Sequence, residues 1–365
     1  MDKTIIALGL MSGTSMDGID ASLVSSNGEE NIDIIGNLYR KYDLELKNSL
    51  KEFCQKINNK EDLNVNLIKY KELERQITIE HSKTVSDIID KFYIKPNIIG
   101  FHGQTILHKP KENYSIQMGN GKLLAQLSKI DVVYKFREND LKHGGEGAPL
   151  TPIYHHNIKK KINLNKPLLF LNIGGIANYT FTKDDFFCAR DVGPGNCLMD
   201  MYIKKVMNLD FDKNGILADS GKIDNSLLNN ISEHEYYNSQ NKHSLDIRDY
   251  DLNFVKGLSI NDAMASLNYF SAKTIYENIK KDLNEEFEII LCGGGRKNLT
   301  LVKNLKNLFK NNIYNIDDFK IDGDFIESQA FAYLSIRSLY KKNISFPGTT
   351  KVKKSISGGK LIKVI

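Results

Sequence analysis

The stretch GLMSGTSMDGID, Gly9 to Asp20, follows directly on the apolar run Ile5 to Leu8 and gathers glycines, three hydroxyl side chains and two carboxylates into one short segment. An apolar run that breaks into such a cluster predicts a strand delivering a tight, polar turn. Gly13 and Gly18 can take backbone angles closed to other residues and let main-chain N–H groups approach an anion. Ser12, Thr14 and Ser15 add hydroxyl donors. Asp17 and Asp20 would repel a bare phosphate, so a cation or a sugar hydroxyl is expected between them. The plainer alternative is a glycine-rich hairpin with a decorated tip.

The same arrangement recurs. IIALGLMSGTSMDGIDASLV, from Ile5, and LLFLNIGGIANYTFT, from Leu168 to Thr182, each read as apolar strand, glycine turn and second strand. Their separation is near half the chain, which predicts two lobes of related architecture with a cleft between them. At 365 residues two domains are in any case the default. The flexible GGEGAP run, Gly144 to Pro149, looks like an interlobe hinge, so the boundary is placed near Leu150, with lobes 1–150 and 151–365.

Between the repeats, Leu44 to Phe92 carries apolar residues at helical spacing (Leu67, Tyr70, Leu73, Ile77) and reads as peripheral helix. A strand, Asn97 to Phe101, then runs into HGQTILH. There His102, Gln104 and Thr105 stand where a strand ends, a position that faces the ligand in open α/β sheets. Arg137 and Asp140 follow; together they make either a weak surface ion pair or a fork for sugar hydroxyls or a carboxylate. In the second lobe DVGPGNCLMD leads into a helix, and the turn Gly193-Pro194-Gly195-Asn196 would present N–H groups at a helix start, with Asp191 just ahead of it. The strand Glu288 to Cys292 ends in GGGRKN, whose Gly293, Gly294 and Gly295 would let a ligand lie against the main chain. Glu327 opens a helix whose Ala330, Phe331, Leu334 and Ile336 read as core.

Composition excludes several classes. The net charge of +5 is spread along the chain rather than gathered into a stripe, which argues against nucleic-acid binding. No apolar run approaches the roughly 20 residues of a membrane helix. The N-terminal segment lacks the features of a signal peptide, and the four cysteines form no CxxC pair or zinc spacing. A soluble cytoplasmic enzyme in a reduced compartment is expected. No Walker A or GxGxxG motif accompanies the glycine turns. The Lys-rich tail from Lys351 reads as a solvated terminal segment.

Taken together, GLMSGTSMDGID, HGQTILH, the Asp131 to Pro152 segment, LNIGGIANYT, DVGPGN, CGGGRKN and ESQAFAYL resemble the anhydro-N-acetylmuramic acid kinase family from about Ile5 to Leu339. The resemblance implies an α/β, two-lobed actin-like ATPase fold, built of duplicated ribonuclease H-like lobes around a central ATP/sugar cleft. It implies an enzyme that opens the anhydro bridge of 1,6-anhydro-N-acetylmuramic acid with water and transfers the γ-phosphoryl group of ATP to O6, in peptidoglycan recycling. Asp191 would be the catalytic base. Gly13, Thr14, Ser15, Met16, Asp17, Gly18, Ile19 and Asp20 would bind ATP, together with Gly174, Gly175, Gly193, Gly195, Asn196, Gly293, Gly294 and Gly295. Mg²⁺ would bridge the phosphates, with Asp17 acting through water and no direct metal ligand assigned. His102, Gln104, Thr105, Arg137, Asp140 and Glu327 are the expected sugar-site residues. A homodimer is left open. One departure is KHSLDIRDYD, Lys242 to Asp251, where the family commonly carries a KSTGRE-like segment. The competing readings are a kinase for another amino sugar and a nucleotide-gated binding protein of the same fold.

Overall fold

A computed structural model describes residues 3–13, 15–224 and 252–364. Thr14 and the Lys242 to Asp251 departure lie outside the described residues. The chain forms two compact units, one of Met1–Lys160 with Phe325–Ile365 and one of Lys161–Asp324.

In the first unit the leading hairpin forms as expected, β1 (Ile5–Ser12) antiparallel to β2 (Gly18–Ser26), and β3 (Ile32–Lys41) continues the meander. The chain then crosses over through three helices, Leu44–Lys56, Lys60–Val65 and Leu67–Phe92. Parallel pairing demands such a crossover. β4 (Ile98–Lys109) duly lies parallel to β1, and β6 (Asp131–Tyr134) lies parallel to β4. The order β3-β2-β1-β4-β6 results.

The second unit repeats it. β7 (Leu168–Ile173), β8 (Ile176–Lys183) and β9 (Phe186–Pro194) form the antiparallel meander, and β10 (Glu288–Cys292) and β11 (Ile313–Asn315) add in parallel, in the order β9-β8-β7-β10-β11. The two sheets therefore share one topology, a ribonuclease H-like arrangement used twice. Helices Cys197–Met207, Ile260–Asp282 and Leu299–Leu308 cover the face carrying Leu169, Leu171, Tyr179 and Leu291.

Four expectations change. The helix Ile326–Leu339, assigned by sequence order to the second lobe, belongs to the first unit, where β1 and β4 let its backbone approach closely at two glycines. Gly9 and Gly100 are register partners, and a Cβ on either would stand 1.8 Å from Ser328 O or 2.1 Å from Phe331 O. The division accordingly falls at Lys160 and again at Asp324, not once near Leu150.

β4 does not stop at Phe101. Pairing with β6 ends at Phe101; at Gly103, with φ of +76°, the register against β1 shifts, Gln104 still partners Ser12, and from Gln104 onward β4 pairs with β5 (Tyr114–Met118). The GGEGAP run is not slack either: Gly145 N binds Asp140 O, Gly147 N binds the Asp140 carboxylate at 2.6 Å and Glu146 N binds Thr350 O, all inside the first unit. Finally, the basic tail is not a loose terminus, since β12 (Lys360–Ile362) caps the sheet edge antiparallel to β6. Lysines on an edge strand keep such an edge from pairing further.

Candidate active site

In the first unit the polar turn is closed by Met16 N donating to Gly13 O at 3.1 Å, with Met16 in the left-handed region at φ 56°. β3 runs against it so closely that a Cβ on Gly18 would lie 2.3 Å from Arg40 O. Ile19 points into the apolar core and can offer a ligand only its backbone. The Asp17 carboxylate is ion-paired to Lys47, and its carbonyl accepts from Tyr42 N. Ser15 is exposed and Asp20 half-buried.

Ser12 does not serve as a donor to a ligand. Its hydroxyl is buried between Tyr42 Oη at 2.8 Å and His81 Nε2 at 3.3 Å. Burial lowers His81 to about 4, so the ring is neutral at ordinary pH, and Nδ1–H donates to Ile77 O. Nε2 is then the acceptor, and the chain of donors runs from Tyr42 through Ser12 to His81. The network clamps the base of the turn.

The expected sugar residues divide into four groups. Gln104 is fully buried and its Nε2 donates to Gly13 O at 3.0 Å, so it braces the turn; its Oε1 finds no partner among the described residues. His102, Arg137 and Glu327 come together. Arg137 Nη2 donates to His102 Nε2 at 3.0 Å, His102 Nδ1 bonds Gly103 O at 2.8 Å, and the ring lies against Phe331 with centroids 4.5 Å apart. Burial, and next the Arg137 charge, hold His102 well below its usual range. The same two causes take His108 down to about 3. Burial raises Glu327, with Arg137 opposing. Thr105 is half-buried one residue further along β4 and receives Gln117 Nε2 at 3.4 Å. Asp140 stands apart: its oxygens accept from Gly147 N and from Thr350 Oγ1, both at 2.6 Å. That carboxylate holds the glycine loop.

In the second unit, the two expected glycine turns are bonded to each other. Gly195 N and Cys197 N donate to Gly175 O, and Asn196 N donates to Gly174 O, so these N–H groups are not the open helix start that the sequence suggests. The fit is tight, because a Cβ on Gly195 would sit 2.3 Å from Gly174 O. Asp191 lies half-buried just ahead, where β9 slips register against β8. The helix Ile260–Asp282 grips β9 on both sides of it. Arg190 pairs with Asp282 and donates to Asn278 O, while Asn278 Nδ2 donates to Val192 O at 3.1 Å.

The Gly293 to Gly295 strip is pinned from behind by Arg296. Its side chain is 2% exposed, forked onto Asp317 at 3.0 and 3.2 Å, bonded to Asp324 at 2.6 Å, and donates to Gly293 O at 3.0 Å. A Cβ on Gly294 would meet open space. A planar ligand can approach there. The composition of the chain gave no sign of this hub, since its acidic partners lie about two dozen residues downstream.

Among the described residues no group of three His, Cys, Asp or Glu side chains could hold a metal, and no helix is long and apolar enough to cross a membrane. Residues 5–363 match the family described as anhydro-N-acetylmuramic acid kinase. Among curated relatives, the chain is 47% identical over 373 residues to the anhydro-N-acetylmuramic acid kinase of Pelagibacter ubique strain HTCC1062, covering 100% of both chains. It is 36% identical to the protein of that name from Zymomonas mobilis, covering 98% of this chain and 99% of the relative. The corresponding Rhizobium etli protein is 35% identical, with 99% of each covered. With the repeated sheet topology, the paired glycine turns and a full-length match, the chain belongs to the anhydro-N-acetylmuramic acid kinase family.

Proposed function

We propose that the protein opens the 1,6-anhydro ring of 1,6-anhydro-N-acetylmuramic acid with water and phosphorylates the released O6 from ATP, giving N-acetylmuramic acid 6-phosphate and ADP. The observation that carries the reading is Asp191, a carboxylate held at a register slip and followed at once by the interlocked Gly174–Gly175 and Gly193–Asn196 turns. The family membership of the chain supports the substrate.

Asp191 acts as general base. Water is a weak nucleophile, and a positioned carboxylate typically contributes on the order of 10²–10⁴ in rate. The water oxygen bonds to the anomeric carbon as the bridge C–O bond breaks. One water proton passes to Asp191, the other remains on the new hydroxyl, and the freed O6 takes the γ-phosphoryl group as ADP departs. His102, Arg137 and Glu327 recognise the sugar: a guanidinium beside a neutral imidazole keeps its charge for a carboxylate or hydroxyls. Gln104 and Thr105 stand beside that cluster.

Backbone donors of the Gly13–Asp20 turn would hold ATP phosphates, as would those of Gly174 and Gly175 in the second unit, whose carbonyls already seat the Gly195–Cys197 N–H groups, and Gly293–Gly295 would take the adenosine. The residues suit an ion carried on the nucleotide rather than caged by protein, because the nearby Asp17 is ion-paired to Lys47 and no three-ligand cluster exists among the described residues. Bound Mg²⁺ would supply charge neutralisation on the phosphates. The use of ATP as phosphoryl donor supports a cytoplasmic setting for the reaction.

The test is an ATP-to-ADP assay with the anhydro sugar in oxygen-18 water, read by mass spectrometry. A phosphorylated product carrying one solvent oxygen is expected. Sugar-independent ADP release, or a product without solvent oxygen, would sink the reading.

A further inference from the structure

The register of the second sheet sets a row of polar side chains beside Asp191. Leu171 and Ile173 on β7, Ala177 and Tyr179 on β8, Val192 on β9 and Leu291 on β10 all enter the apolar core. Strand alternation turns Asn172, Asn178, Asp191 and Cys292 to the opposite face. They are consecutive register partners: Cys292 with Asn172, Asn172 with Asn178, and Asn178 with Asp191. The slip between β8 and β9 preserves this pairing, since the extra residue, Val192, goes into the core.

The members differ in what holds them. Asn172 Oδ1 lies 2.5 Å from where a Cβ of Gly293 would stand, so that amide packs on the glycine strip. Asn178 is half-buried, and among the described residues its carboxamide makes no hydrogen bond. Directly opposed residues on one face have Cβ atoms about 4.5–5.5 Å apart. That spacing admits one water shared by two side chains.

We propose that Asn178 is a positioning residue for ring opening, its Oδ1 accepting the second O–H of the water that Asp191 activates. This rests on the assignment of Asp191 as base. A water bonded through one proton alone turns about that bond, whereas two acceptors fix its plane and aim its remaining lone pair at the reacting carbon. An amide does this without cost to the base. A second carboxylate there would raise the Asp191 pKa by like-charge repulsion and reduce the fraction ready to accept a proton.

The test compares Asn178→Ala, the near-isosteric Asn178→Asp and Asp191→Asn in the full-length enzyme with ATP and the anhydro sugar, over pH 5 to 9. Asn178→Ala is expected to lose on the order of 10- to 100-fold in kcat with both KM values within about threefold of wild type. Asn178→Asp is expected to move the acidic limb of kcat/KM upward by about one pH unit, a response that a merely structural asparagine would not give. A dead Asp191→Asn beside an Asn178→Ala that turns over within threefold of wild type overturns this proposal alone. So does an Asn178→Asp profile whose acidic limb stays in place. Near-wild-type turnover by Asp191→Asn overturns the base assignment and this proposal with it.

Discussion

Arg137 Nη2 lies 3.0 Å from His102 Nε2, and with the other ring nitrogen bonded to Gly103 O the imidazole is fixed in one neutral tautomer that accepts from the guanidinium. The pairing orients a cation without neutralising it. Its charge is felt by His102, His108 and Glu327 together.

Arg137→Lys should therefore raise the sugar KM by about 10- to 100-fold, the range of one lost charge-assisted hydrogen bond, with the ATP KM unchanged. Steady-state kinetics with each substrate varied in turn decides it. Equal changes in both KM values would remove Arg137 from sugar recognition.

Asn278 donates to the carbonyl of Val192, the residue that follows Asp191. Asn278→Ala is expected to cost about 1 kcal/mol in urea unfolding but about tenfold or more in kcat, because a carboxylate allowed to drift loses alignment faster than the fold loses stability. If kcat and stability are both unaltered, the grip of the helix on β9 does not serve catalysis.

A methyl group at Gly100 would meet the backbone of Phe331 at 2.1 Å, and the main chain of a packed helix cannot step aside as a flexible side chain can. Gly100→Ala should destabilise the protein by about 3 kcal/mol or more, at or beyond the upper end for overpacking. Gly294→Ala, where a Cβ meets nothing, serves as the control for stability. Urea midpoints that agree for the two variants would refute the helix seat.

Acid should weaken the fold before most carboxylates titrate. Burial lowers His81 to about 4 and His108 and His155 to about 3. The unfolded chain protonates these rings near pH 6.5 while the native state does not, so the unfolded state binds more protons and stability falls as pH is lowered through this window. His81 alone contributes a loss of about 3 kcal/mol by pH 4. Urea midpoints at pH 7.5, 6 and 5 should decline steadily, and a flat series would contradict neutral buried histidines.

Both hairpins were legible in the sequence, because an apolar run broken by glycines has few other solutions, and their recurrence carried the duplicated topology. What escaped is long-range. Nothing local distinguishes an Asp140 that holds its own glycine loop from one that waits for a sugar. Gln104 reads as a ligand residue at a strand end only while the strand is taken to stop, and the continuation of β4 depends on β5, a partner reached after a turn. Asn178 lies inside a motif that was legible as a hairpin, but its place opposite Asp191 depends on a register slip. The edge strand β12 is short and basic, as sheet edges commonly are, and so resembles a loose tail.

The seat formed by Gly9 and Gly100 also governs the order of assembly. Its occupant, Ile326–Leu339, is separated from β1 by more than three hundred residues, and the whole of Lys161–Asp324 lies between. On a ribosome, the second unit can complete its own sheet and core while the first still shows a bare strip of β1 and β4. Such non-local closure is slow and leaves strand faces open to wrong partners. The unit translated first is thus the one that finishes last, and nascent chains halted near residue 324 should be the species that engage chaperones.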